Sequence, residues 1–161
     1  MSTTAPAPPQ RRFDSPEQEA FLGLWRTFDR LHVLELELFA KHELTPQQYN
    51  ALRLLRAAHP GALRTLDLAG RLVSRAPDIT RLLDKLEDRK LVARQRSESN
   101  RREVHVSITP AGIALLDVLQ EPLRECHARQ LGHLSRAQLR DLIALLQAAR
   151  LPHEDADSSW R

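Results

Sequence analysis

Apolar positions recur along most of this chain every three or four residues, the spacing of one face of an α-helix. The first series is Phe21, Leu24, Trp25, Phe28, Leu31, Leu34, Leu38 and Phe39. Ser15 and Pro16 open it as a cap and a first helical residue, and Glu17 and Glu19 come next, where the helix dipole favours acids. The helix is expected to reach about Lys41, a strut of about 39 Å at 1.5 Å per residue. That length exceeds what a small domain needs and suits packing on a second subunit. Thr45-Pro46-Gln47-Gln48 repeats the same grammar as a capping box. The second helix extends to about Ala58, where His59-Pro60-Gly61 stops it.

Thr65 is read as the cap of a short third helix reaching about Val73, with Leu66, Leu68, Ala69 and Leu72 inward. A break at Ser74 separates it from a fourth helix, expected from about Arg75 to Arg89. Its inward positions are Ile79, Leu82, Leu83 and Leu86; Arg75, Thr80, Arg81, Asp84 and Lys85 remain on the outer face. The period then falls to two. Leu91 to Arg96 and Arg102 to Ile108 read as strands around the polar tip Ser97-Glu98-Ser99-Asn100-Arg101. Thr109-Pro110 opens a fifth helix with Ile113, Leu116, Leu119 and Leu123 on one face and Pro122 as an expected kink. Ser135 caps a sixth, with Leu139, Leu142, Ile143 and Leu146 apolar.

Composition narrows the class. The chain has 161 residues, of which 42% are hydrophobic and 4% aromatic, enough for one ordinary domain. It has no apolar run of membrane-spanning length, and Met1 to Arg12 lacks the apolar segment of a secretory signal. A single cysteine, Cys126, cannot bridge internally and points to a reducing, cytoplasmic setting. No cofactor or metal is expected: Cys-x-x-Cys is absent, and of the histidines weighed as ligands only His127 and His133 lie close in sequence. Neither a phosphate-cradling glycine loop nor a nucleophile elbow is present, so no enzymatic activity is expected.

The formal charge of +3 conceals its distribution. Between Pro60 and Pro110 stand eleven Lys and Arg against seven Asp and Glu, while the flanking thirds are nearly neutral. A basic middle third suits a polyanion. It coincides with helices three and four, separated by a short turn, and with the hairpin after them. Helix, turn, helix and basic hairpin make a winged helix-turn-helix: a helix that fits the major groove and a tip that reaches the adjacent minor groove.

The residues from Leu66 to Gly112 resemble the MarR family of bacterial transcriptional regulators. They include Leu66-Asp67-Leu68-Ala69, Pro77-Asp78-Ile79-Thr80-Arg81-Leu82-Leu83-Asp84-Lys85-Leu86-Glu87, Leu91-Val92-Ala93-Arg94 and Asn100-Arg101-Arg102-Glu103-Val104-His105-Val106-Ser107-Ile108-Thr109-Pro110-Ala111-Gly112. Leu44-Thr45-Pro46-Gln47-Gln48-Tyr49 also fits the start of the family's second helix, and the resemblance extends over about residues 16 to 148.

The resemblance implies a mainly α fold of six helices plus a small β-wing. The protein would be a homodimer held by its terminal helices on a pseudo-palindromic double-stranded operator, with repression relieved by a small, often aromatic, ligand. The implied organisation is a flexible arm over 1–15, a dimerisation helix over 16–44, a DNA-binding lobe over 45–109, dimerisation helices over 110–150 and a flexible tail over 151–161. Implied DNA contacts are Ser74, Arg75, Thr80, Arg81, Lys85, Asn100, Arg101 and Arg102. Implied ligand-cleft residues are Trp25, Arg26, Phe28, His32, Tyr49 and Arg53.

Two positions depart from the family pattern. Asn100 replaces a usual Asp before the wing arginines, and Lys90 replaces a usual Gly and is expected in a left-handed conformation. Alternatives carried alongside are a cysteine- or metal-responsive regulator of the same fold, and a helical interaction module that never touches DNA.

Overall fold

The computed structural model describes residues 13–74, 78–97, 100 and 103–160. Among them are six α-helices and a three-stranded sheet. The chain divides into two compact units, Met1–Val33 and Leu34–Arg161.

Helix α1 spans Pro16–Ala40. Ser15 caps it, its Oγ accepting from the Gln18 N–H at 3.1 Å. In the first unit most of its apolar residues face solvent: Trp25 and Phe28 are each 63% exposed. Phe21 meets Trp25 edge to face, and Phe28 stacks on His32. Of the whole helix only Phe39, near its end in the second unit, is buried.

The second unit holds the core. Helix α2 (Pro46–Ala58) starts on the expected capping box, Thr45 with Gln48. Its Leu52 and Leu55 are fully buried beside Leu68, Leu83, Leu86, Val106 and Leu119. The two-residue strand β1 (Leu63–Arg64) comes next, then helix α3 (Thr65–Arg71) and helix α4 (Ile79–Asp88). Strands β2 (Val92–Arg96) and β3 (Val104–Ile108) form the hairpin. The sheet order is β1-β3-β2, antiparallel throughout, with Leu63 opposite Val106 and Arg94 opposite Val106 on the other side. Helix α5 (Pro110–Leu131) continues through Pro122, and helix α6 (Arg136–Arg150) starts on a second capping box, Ser135 with Gln138.

Several details correct the sequence reading. Thr65 is not the cap of α3. Arg64 holds that position without a side-chain bond, and the Thr65 hydroxyl instead donates to the Val104 carbonyl at 3.1 Å. Helix α3 ends at Arg71, short of Val73. Leu66 is not inward but 82% exposed. Leu68 and Leu72 share one helical face, and Leu66 lies about 200° round from Leu68 at 100° per residue. Helix α4 begins at Ile79 rather than Arg75, because Asp78 caps it by accepting from the Arg81 N–H at 2.9 Å. Asp84 is on the outer face as expected, its side chain half exposed, and it pairs there with Arg94. Strand β1 has no counterpart among the elements expected from the apolar pattern. Apolar residues of α6 stand outward, and none of its side chains is buried.

One joint binds the hairpin to α5. The Thr109 hydroxyl donates to the Lys90 carbonyl at 2.7 Å and accepts from the Gly112 N–H, while the Thr109 N–H donates to the Leu91 carbonyl. Lys90 has φ 58°, the left-handed conformation expected of it. That backbone turn lets the chain leave α4 and enter β2 within three residues.

Candidate nucleic-acid interface

Helix α4 is anchored at both ends. Asp78 fixes its first turn, and beyond its last turn Arg89 donates from Nη1 to the Glu43 carbonyl at 2.6 Å and from Nη2 to the His42 carbonyl at 3.1 Å. Leu82, Leu83 and Leu86 bury the opposite face. Thr80, Arg81 and Lys85 are therefore held exposed on a rigid helix. At 100° per residue they span an arc of about 140°, a width that suits insertion into a major groove.

The segment just after α3 is held by α2. Asn50 of α2 is buried, and its Oδ1 accepts from the Val73 N–H at 3.0 Å. Ser74, next in the chain, is exposed. Arg75, Arg101 and Arg102 lie outside the described residues.

At the hairpin, Asn100 donates from its backbone N–H to the Ser97 Oγ and from Nδ2 to the Glu103 carboxylate at 3.2 Å. Glu103 also lies within 3.9 Å of Arg64 and 3.8 Å of His105. Arg64 forms a two-pronged bond with Asp67, at 2.8 and 3.0 Å. That bond holds the Asp67 carboxyl below its ordinary pKa and raises the Arg64 guanidinium. The tip end of the hairpin, at Glu103, is thus laced through Arg64 to the start of α3.

A second lacing joins the hairpin to α4. Arg94 of β2 donates from Nε to Glu87 at 2.8 Å, from Nη2 to Glu87 and to Asp84, and from its backbone N–H to Glu87. Hydrogen bonds from Arg94 hold the Glu87 carboxyl below its ordinary pKa, and Glu87 in turn raises Arg94. Its only signal in the sequence is a pair of acids three residues apart on α4. That signal becomes interpretable only with Arg94 placed beside them.

The implied ligand-cleft residues are distributed over the two units. Trp25, Arg26, Phe28 and His32 stand on the first, where Arg26 lies 3.9 Å from Asp29. Tyr49 and Arg53 belong to the second. Tyr49 stacks on Phe39 with ring centroids 4.8 Å apart, and burial raises its hydroxyl pKa. Arg53 lines an open groove of about 1020 Å³ together with Leu54, Leu66, Arg71 and Trp160. Cys126 is buried, and burial raises its thiol pKa. Among the described residues no group of three or more His, Cys, Asp or Glu could hold a metal ion, and no helix is long and apolar enough to cross a membrane.

A reader helix, its supporting helices and a hairpin laced to both define a winged helix-turn-helix DNA-binding protein. A profile described as the MarR family matches residues 44–104. The chain is 55% identical to a MarR transcription factor from Planctomyces limnophilus, over 85% of this chain and 99% of that one, with a TM-score of 0.68. It is 27% identical to the HTH-type transcriptional repressor MdtR of Bacillus subtilis (strain 168), over 81% of this chain and 79% of that protein. The fold also matches Bordetella bronchiseptica BpsR, a structure described as explaining regulation of its DNA binding by 6-hydroxynicotinic acid, at 23% identity and a TM-score of 0.74. That match covers 81% of this chain and 98% of the other. The chain belongs to the MarR family of transcriptional regulators. Members of this family bind DNA, typically as dimers, and some bind small-molecule ligands.

Proposed function

We propose that this protein is a cytoplasmic transcriptional repressor that binds a pseudo-palindromic operator as a homodimer and is released by a small molecule. The observation that carries the reading is the exposed row Thr80, Arg81 and Lys85 on a helix whose other face is locked in the core. Two copies of α4 would enter successive major grooves, about 34 Å apart along the duplex. Ser74, Arg75 and Asn100 would flank them, and Arg101 and Arg102 would reach the minor grooves.

The dimer would be built from the helices over 16–44 and 110–150. Support comes from apolar side chains that a lone protomer leaves in water, among them Trp25 and Phe28 on α1 and Ile143 and Leu145 on α6. A small aromatic effector is the proposed ligand class, with Trp25, Arg26, Phe28 and His32 of the first unit and Tyr49 and Arg53 of the second as candidate contacts, Arg53 lining the groove. Release requires only that the effector favour an arrangement of the two reader helices that fits DNA less well.

Selection of bound duplexes from a random pool tests the reading. A two-fold symmetric site with half-site centres one helical turn apart is the expected result. Failure to enrich any duplex would favour a helical interaction module instead.

A further inference from the structure

We propose that Arg94 is a positioning residue for DNA recognition, tying the wing to the reader helix and masking two carboxylates beside the DNA. The inference rests on the reading of α4 and the hairpin as the DNA-contacting elements. Arg94 shares the face of β2 occupied by Val92, since side chains alternate along a strand, and Val92 is buried. That face is turned toward α4. Asp84 and Glu87 stand three residues apart on α4, a spacing that puts both carboxylates on one side of the helix. The Arg94 guanidinium meets both, Nε–Glu87 at 2.8 Å and Nη2–Asp84 at 2.6 Å, and its backbone N–H meets Glu87 at 3.2 Å.

This geometry acts in two ways. First, β2 can change its angle to α4 only by breaking a bond between planar, charged groups, and such bonds are strongly directional. Strand β2 is therefore held at a set angle to the helix proposed to read the major groove. Second, Asp84 lies one residue before Lys85, at the edge of the row that would face phosphates. Unpaired, Asp84 and Glu87 would add negative charge next to the polyanion. Arg94 offsets one of those two negative charges and binds both carboxylates without itself standing in the row.

The test uses the full-length protein and the duplex it selects from a random pool. Binding is measured with wild type, R94M and E87Q. Hydroxyl-radical cleavage reports the flanking minor grooves, and guanine N7 methylation reports the central major grooves. Arg94→Met keeps the bulk and removes the bond. It is expected to bind at least tenfold more weakly, to lose flanking protection and to keep major-groove protection. Glu87→Gln breaks the bond but also removes a negative charge, so it is expected to lose flanking protection and keep major-groove protection without a matching loss of affinity, and it decides the matter should R94M fail to fold. Flanking protection that survives the substitution, or parallel loss of both protections, overturns the inference. A wild-type protein that protects no duplex overturns the functional reading and the inference together.

Discussion

The side-chain oxygen of Asn50 accepts a hydrogen bond from the backbone N–H of Val73 at 3.0 Å, joining α2 to the segment just after α3. Asn50 is only 8% exposed but Val73 is 64% exposed, so an Ala at this position would lose the bond while leaving its donor within reach of water. Asn50→Ala is expected to cost about 0.5–1.5 kcal/mol of unfolding free energy. Asn50→Asp, which keeps an acceptor, should recover part of it. Urea unfolding of the three proteins checks both, and equal midpoints for wild type and Asn50→Ala would contradict the role.

Gly112 allows α5 to start against the wing. A Cβ at this position would sit 2.3 Å from the Leu91 carbonyl oxygen and 2.7 Å from Ile108 Cγ1. The backbone oxygen cannot swing aside as a flexible side chain could, so Gly112→Ala should destabilise by about 1–3 kcal/mol. Gly70 in α3 meets nothing within 4 Å. Gly70→Ala should therefore stabilise by up to about 1 kcal/mol through helix propensity. Thermal melts of the pair should move in opposite directions.

Arg81 has an exposed side chain, while its backbone N–H is occupied by the Asp78 cap. Arg81→Ala should weaken operator binding by about 1–3 kcal/mol and relax base preference at one position of each half-site. Repeating the pool selection with the variant distinguishes this from a phosphate contact, which would weaken all duplexes alike.

Cys126 is buried, and its thiol pKa is raised first by loss of solvent and then by the nearby Glu35 charge. A raised pKa lowers the reactive thiolate fraction. The native protein should react with a maleimide far more slowly than the urea-unfolded protein. Fast labelling of the native form would instead support a thiol sensor.

The Glu87–Arg94 bond sets a direction for acid sensitivity. Because the folded carboxyl titrates below its ordinary value, the stabilisation is complete at neutral pH and is lost as pH falls through the folded pKa. The stability gap between wild type and E87Q should be constant near neutrality and close in acid. Unfolding curves recorded across that range measure it; a gap that widened in acid would mean the opposite shift.

The helices were legible where two signals coincided. Thr45-Pro46 with Gln48, Thr109-Pro110 and Ser135 each mark a helix start by side-chain chemistry that depends on neighbours three residues away. At α4 the proline and arginine before Asp78 suggested an earlier start, yet Asp78 accepts the Arg81 N–H and begins the helix. Strand β1 is two residues long, too short to display a period, and exists because Leu63 pairs with Val106. Leu66 reads as core because it is apolar, but a seven-residue helix offers the interior one narrow face, which Leu68 and Leu72 occupy. Spacing alone put Thr80, Arg81 and Lys85 on the outer face of α4, and only the family resemblance singled them out for DNA. The bonds of Asn50 with Val73 and of Arg94 with Glu87 join residues separated by 23 and 7 positions and arise from packing rather than from any local pattern.

The joint at Thr109 makes a lever of the fifth helix. One hydroxyl and one N–H fasten the α4–β2 turn to the first turn of α5, so a rotation of the reader is passed to that helix. Its 22 residues extend about 33 Å at 1.5 Å per residue, and a tilt of about 5° at the joint moves the far end by about 3 Å. Were α4 to read the groove as proposed, a few degrees at this joint would link groove fit to movement far from the duplex.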